Sequence, residues 1–443
     1  VSDLVTAVHA VLPSVRRDLE ALVRIESVWA DPERRPEVHR SAAAVADLLS
    51  DAGFPDVQVV AEGGAPAVIA RHPAPPGAPT VLLYAHHDVQ PEGDPAAWQS
   101  PPFEPTERDG RLYGRGTADD KAGIAVHLAA FRAHGGAPPV GVTVFVEGEE
   151  ESGSPSLPAL LAAHRDALAA DVIVLADSDN WSVDVPALTV SLRGLVDCVV
   201  EVATLDHGLH SGLWGGVVPD ALSVLVRLLA GLHDDDGNVA VAGLHESSAP
   251  AVDYPPDRVR AAAGLLDGVQ EIGSGSVPQR LWAKPAITVI GIDTTSVAAA
   301  SNTLIPSARA KISLRVAPGG DAAAHLAALR THLEERAPWG ARVRVVPGEI
   351  GQPFAVDPTG PVYDAARAAF RQAWGAEPVD MGMGGSIPFI AEFAAAFPDA
   401  TILVTGVEDP ATQAHSVNES LHLGVLERAA TAEALLLERL GAR

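Results

Sequence analysis

Apolar residues along this chain fall into two recurrent patterns. Thr80–Ala85 (TVLLYA), Val140–Val146 and Val172–Ala176 (VIVLA) are short, β-rich runs bounded by Gly, Pro or Asp, the pattern of buried strands. Between them, Lys121–His134 and Pro155–Ala169 carry apolar residues at helical spacing, as does the opening stretch Val1–Leu22. Strand and helix in alternation predict a mostly parallel sheet covered by helices. The middle of the chain is patterned differently. Ala187–Val202 alternates like one long strand broken at Gly194, and Pro219–Leu232 is an amphipathic helix with its proline near the start. Ala286–Ile292, Arg309–Val316 and Arg342–Val346 follow as strands, with a helix over Ala322–Arg336. That order suits a small α+β sandwich with its own core. The Pro/Gly-rich patch Pro347–Pro353 marks a return, after which Gly360–Trp374 reads as a helix, Thr401–Val404 as a strand and Val425–Leu440 as a closing helix. The expected division is residues 1–187 with 351–443 as a catalytic α/β domain, and 188–350 as an inserted domain.

With 443 residues, 47% of them hydrophobic and 20% charged, the chain has material for two or three domains with sizeable cores. Its formal net charge of −26 argues against nucleic acid or an anionic membrane as partner, because both require a basic face. The one cysteine, Cys198, lies in an apolar stretch, which excludes an internal disulfide or a Cys-rich zinc site and reads as buried filler. No basic segment followed by an apolar one opens the chain, and no apolar run has the length of a membrane span, so a cytoplasmic location is the expectation.

The chemistry is concentrated just past the apolar runs. His86-His87-Asp88 follows the first strand. Alternate residues of a strand share a side, so His86 and Asp88 could point together as a metal ligand and its carboxylate orienter. On its own the triplet is as easily a solvated turn. Gly114-Arg115-Gly116-Thr117-Ala118-Asp119-Asp120-Lys121 precedes a helix but lacks the Gly-Lys-Ser/Thr of a phosphate loop and the third glycine of a dinucleotide fingerprint. An acid at a helix start is commonly a cap; beside the other clusters, Asp119 reads better as a carboxylate bridging two metals. Glu149-Glu150-Glu151 after the second strand would alone be a solvated charge run. Near metals, adjacent carboxylates can divide the labour, one ligating and one taking a proton. Asp177 and Asp179 follow the third strand, and His415 follows Thr401–Val404. Imidazoles and carboxylates gathered at the carboxyl ends of parallel strands suit zinc or a similar divalent ion. Neither an HExxH helix nor a Gly-x-Ser-x-Gly elbow occurs.

Taken in order from Ala85 to His415, these motifs closely resemble the zinc metallopeptidases of family 20, the aminoacylase and carnosinase group, and most of all its cytosolic nonspecific dipeptidase branch. The resemblance implies a phosphorylase/hydrolase-like α/β catalytic domain with an inserted α+β lid through which homodimers form. It implies two divalent ions, zinc before manganese or cobalt. His86 and Asp179 would hold one metal and Glu151 and His415 the other, with Asp119 bridging and Asp88 orienting His86. Asp179 is preferred to Asp177 because Ser178-Asp179-Asn180-Trp181 looks like the dipeptidase version of that motif. A hydroxide shared by the metals would attack the amide of a dipeptide or small amino-acid conjugate, with Glu150 as general base. In the insertion, His210 resembles the lid histidine that stabilises the oxyanion across a dimer. Asn302 resembles a substrate-contacting residue, and Arg315 the arginine that clamps the substrate carboxylate. Gly385 and Ser386 resemble the loop lining that end of the site. One departure stands out: where similar dipeptidases carry Arg and Glu before that loop, this chain has Gly382 and Met383. The pocket could therefore take a less charged or bulkier acyl-amino acid or amide, and the rival activities are an N-acyl amino acid deacylase or a carboxypeptidase. A catalytically silent metal- or peptide-binding protein is the rival of another class.

Overall fold

The computed structural model describes residues 2–385 and 388–442. The chain forms two compact units. One runs from the start of the chain to Val190, takes up Val356–Met381 and resumes at Phe389; the other is built on Ser191–Ala355 and the short segment that begins at Gly382.

In the first unit, the strands Asp56–Val60, Ala67–His72, Gly141–Glu147, Thr80–His86, Val172–Leu175 and Thr401–Val404 lie side by side in that order. The last four are mutually parallel, and the two that precede them pair antiparallel at one edge. The parallel strands are buried along nearly their whole length, as continuous apolar runs covered on both faces should be. Helices Ser2–Val23, Lys121–Ala133, Pro361–Trp374 and Leu423–Gly441 supply much of that cover. The mixed edge strands and the helix Arg35–Ala52 were not anticipated from the pattern, and the expected Pro155–Ala169 helix is two pieces, Leu157–Ala163 and Arg165–Leu168, separated at His164.

The second unit is a four-stranded antiparallel sheet in the order Ala286–Asp293, Ser307–Val316, Gly194–Ala203, Arg342–Gly351. Ala308, Ala310, Ile312, Leu314 and Val316 alternate onto the buried face, where they meet helices Ala221–Ala230 and Ala322–Glu335. Cys198 is fully buried in this core, and burial lifts its thiol pKa to about 11, so it is apolar filler. The break expected at Gly194 divides Ala187–Val202 into two strands, Ala187–Leu192 and Gly194–Ala203. Gly194 has no room for a side chain: a Cβ there would lie 2.5 Å from the Gly351 carbonyl. The expected return at Pro347–Pro353 is still strand as far as Gly351, with a register irregularity between Pro347 and Ile350.

Candidate metal centre

The parallel strands of the first unit deliver their ends to one place. His86 is the last residue of its strand and pairs in register with Glu147, the last of the next. On the other side, Tyr84 pairs with Leu175, and the Ala176 N–H donates to the Tyr84 carbonyl, which brings Asp177 level with His86. The His86 side chain is fully buried. Its Nδ1 faces the Asp88 backbone carbonyl at 3.1 Å and the Asp88 carboxylate at 3.4 Å, leaving Nε2 to face the acids.

Two groups of ligating atoms gather there. His86, Asp120 and Asp177 form one, and Asp119, Glu151 and His415 the other. Asp119 joins them: its Oδ1 lies 3.1 Å from His86 Nε2 and its Oδ2 2.9 Å from His415 Nε2. Glu151 Oε2 is 3.1 Å from the same His415 nitrogen, while a Glu150 oxygen lies 4.0 Å from His86 Nε2. His415 has φ +61°, an uncommon conformation for a residue with a Cβ, and such backbone positions cluster at functional sites.

Asp179 joins neither group. It bridges to Glu408 beyond the strand Thr401–Val404, and the Asn180 N–H bonds the Glu408 carbonyl. The chain past Val172–Leu175 thus presents Asp177 to His86, at 4.0 Å, and then turns aside. Asp179 was the residue expected to accompany His86; the acid that lies beside the imidazole is Asp177.

The framework around these groups is polar and specific. The Asp88 carboxylate accepts from the backbone N–H groups of both Glu150 and Glu151 at 3.2 Å, so one side chain orients the imidazole and the acidic turn together. Gln90 fixes Glu151, donating through its backbone N–H at 3.0 Å and its side chain at 2.7 Å. Glu149, the third acid of that run, turns inward to accept from Ala65 and Ser156. Asp120 accepts from the His86 N–H and caps the Lys121–Ala133 helix through Gly123. Glu419 was not among the residues expected here. Fully buried, it accepts from Arg115 at 2.6 Å and from the backbone N–H groups of Gly116, Ala118 and Asp119, and so holds the loop that carries Asp119. No local signal marks an isolated acid of this kind; its partners lie some three hundred residues away in sequence.

Electrostatically, the centre is a concentration of buried negative charge. Burial above all, with the charges of Asp119 and Glu151 against that of His86, pushes Asp177 up to about 7. Burial, together with repulsion from Asp177, Glu151 and Asp119, raises Glu150 well above the carboxylate range despite the attraction of His86. Carboxylates that raise one another in this way need cations, and two imidazoles with carboxylate oxygens are a donor set for zinc and similar divalent ions. The residues fit such ions: His86 and Asp177 on one side of Asp119, Glu151 and His415 on the other.

The second unit brings His210 and Asn302 together. His210 pairs with Thr303 across a short two-stranded ribbon, and the Ser211 N–H donates to the Asn302 carbonyl. Both residues are exposed. The His210 Nδ1 accepts from the Gly212 N–H at 3.1 Å, so the neutral ring carries its proton on Nε2, free to donate outward. Arg315 is half-buried on the strand Ser307–Val316, opposite Leu195. Gly385 is exposed, and Ser386 lies outside the described residues.

Residues 82–439 match the model of peptidase family M20/M25/M40. A cysteinylglycine-S-conjugate dipeptidase of Corynebacterium striatum is 37% identical over 95% of this chain and 94% of its own length. A Cys-Gly metallodipeptidase of Saccharomyces cerevisiae is 27% identical over 94% of this chain and 93% of its own. The crystal structure of human carnosine dipeptidase 1 superposes with a TM-score of 0.81 at 25% identity, covering 100% of this chain and 99% of that one.

Proposed function

From the premise that this chain belongs to peptidase family M20/M25/M40, we propose that it is a metal-dependent dipeptidase with a dinuclear centre, zinc by preference. The observation that carries the reading is Asp119, whose two carboxylate oxygens face His86 and His415 separately, each histidine with an acid of its own within 4.0 Å. His86 and Asp177 would hold one ion and Glu151 and His415 the other, with Asp119 facing both histidines. Divalent ions held there would supply Lewis-acid polarisation of a carbonyl and a nucleophile at neutral pH.

The rest is work for the chain's own side chains. Glu150 reaches the edge of the ligand cluster and is tied by its backbone to Asp88, so it is placed to take the proton of the attacking water and return it to the leaving amine. The outward Nε2–H of His210 is a donor for the developing oxyanion. Asn302, beside it on the ribbon, contacts the substrate, and Arg315 and the Gly385–Ser386 loop receive its carboxylate. Substrates are dipeptides or small amino-acid conjugates; the Corynebacterium and Saccharomyces relatives act on cysteinylglycine compounds by name, which makes Cys-Gly the first substrate to try. The inserted unit, taken as residues 188–350, serves as a lid and homodimer surface. Leu213, Trp214 and Val217, just past His210, are 76%, 48% and 84% exposed, an apolar patch that a second copy would cover. A cytoplasmic location accords with the single buried cysteine.

Hydrolysis of Cys-Gly and a panel of dipeptides and N-acyl amino acids by zinc- or manganese-loaded protein tests the reading. Wild type should cleave, and Glu150→Gln should bind metal equally while losing at least about 100-fold in kcat. Absence of cleavage by metal-loaded wild type across the panel would refute it.

A further inference from the structure

The second unit contains a cavity of about 500 Å³ that no part of the proposed chemistry uses. Leu265, Val277, Leu281 and Ile287 give it an apolar wall, and Arg193, Arg280 and Lys284 bring three cations to it. Two of these have acids of their own. Arg280 pairs with Glu271 at 2.6 Å, and Lys284 stands 3.8 Å from Glu246. Arg193 has none among the described residues. Its hydrogen bonds go to the backbone carbonyls of Gly384, at 3.1 Å, and Lys284, at 3.4 Å.

A half-buried guanidinium with no acid beside it is costly unless something compensates it. Here burial, reinforced by the nearby charge of Arg315, lowers the Arg193 pKa to about 10. The carbonyls of Gly384 and Lys284 fix the orientation of the fork without neutralising it. A fixed guanidinium is a bidentate partner for a planar anion, and a mostly apolar cavity with one oriented polar group is the usual form of a small-molecule site. We infer that this cavity is a receptor for a carboxylate carried on an apolar body, with Arg193 binding the carboxylate and the Leu265–Ile287 wall taking the body. The ligand is a carboxylic acid distinct from the substrate, whose own carboxylate the proposed function gives to Arg315 and the Gly385–Ser386 loop.

The probe is 3-phenylpropionate, titrated calorimetrically into the metal-loaded full-length protein beside its uncharged amide. The acid should bind at least about tenfold more tightly than the amide. Arg193→Met, which removes the charge, and Val277→Trp, which fills the cavity, should each lose at least that factor, and Arg193→Lys should recover part of it. Thermal melts of the three variants establish that they are folded. Equal binding of acid and amide, or wild-type affinity in both Arg193→Met and Val277→Trp, would overturn the inference. The binding measurement needs no turnover, so it stands apart from any failure of the dipeptidase reading. Inhibition of Cys-Phe hydrolysis by the probe separates the sources: competitive inhibition lost in Arg193→Met, with KM raised and kcat kept, would mean that the cavity holds substrate and would overturn a separate site, whereas non-competitive inhibition, or none, supports it.

Discussion

Asp177 and Asp179 are two residues apart and follow the same strand, and it is Asp177 that lies 4.0 Å from the imidazole of His86. Hydrogen bonding separates them: Ala176 is still in register with Tyr84, whereas Asn180 already bonds the Glu408 carbonyl. Asp177→Asn should therefore weaken binding of one of two zinc equivalents by at least about 100-fold, and Asp179→Asn should leave the stoichiometry at two, as read by metal analysis after dialysis. The reverse pattern would restore Asp179 as the ligand. The general-base position shows the same dependence on context. Of Glu149, Glu150 and Glu151, the first is spent on Ser156 and Ala65, the last faces His415, and the middle one is left at the edge of the cluster.

At the level of elements, the loop before Lys121–Ala133 and the helix itself are held by buried charge. Arg115 and Glu419 are both fully buried and 2.6 Å apart. Arg115→Met would leave the Glu419 carboxylate uncompensated and should cost about 3–5 kcal/mol in a denaturant titration, together with metal affinity, because Glu419 also positions the Asp119 N–H. Within the helix, His127 Nδ1 lies 2.9 Å from the Glu433 carboxylate of the closing helix, and its Nε2 meets the Tyr84 carbonyl at 3.0 Å. Burial favours the neutral ring, but the charge and hydrogen bond of Glu433 outweigh it and raise the imidazole pKa. The stabilisation from a raised pKa is complete below the unfolded value of about 6.5 and is lost as the pH climbs through the folded one. The stability margin of wild type over His127→Gln should accordingly be largest near pH 6 and narrow steadily above it; a margin independent of pH would show that the ring is neutral throughout.

For the whole molecule, every side chain of the candidate metal centre belongs to the first unit, and that unit has its own core. Replacing Ser191–Ala355 with a short Gly/Ser linker should leave a folded protein that binds two metal ions and has lost peptidase activity, as circular dichroism, metal analysis and Cys-Gly hydrolysis would read. A product that retained activity would remove His210, Asn302 and Arg315 from the mechanism. Loss of the apolar surface at Leu213, Trp214 and Val217 should also make the shortened protein monomeric in sedimentation, against a dimer for the full chain.

Much of this was legible in the sequence because the strongest forces leave periodic marks. Buried parallel strands must be continuous apolar runs, a two-faced sheet must alternate, and ligands at strand ends must follow those runs within a few residues. Thr80–His86, Gly141–Glu147 and Val172–Leu175 with His86, Glu150 and Glu151 behind them are read directly by that logic. The antiparallel edge at Asp56–Val60 and Ala67–His72 escaped because short edge strands carry little pattern. The break at Gly194 was legible, but not that the strands on either side of it join different sheets, because a strand's alternation does not record which sheet it joins. What only the tertiary structure decided are the choices among chemically equal residues. The hydrogen-bond register between strands selects Asp177 over Asp179. Contacts between residues three hundred positions apart give Glu419 its role. The placing of acids beside Arg280 and Lys284 leaves Arg193 without one among the described residues. Each depends on distances in space between charges, and a linear pattern of residue types carries no information about those distances.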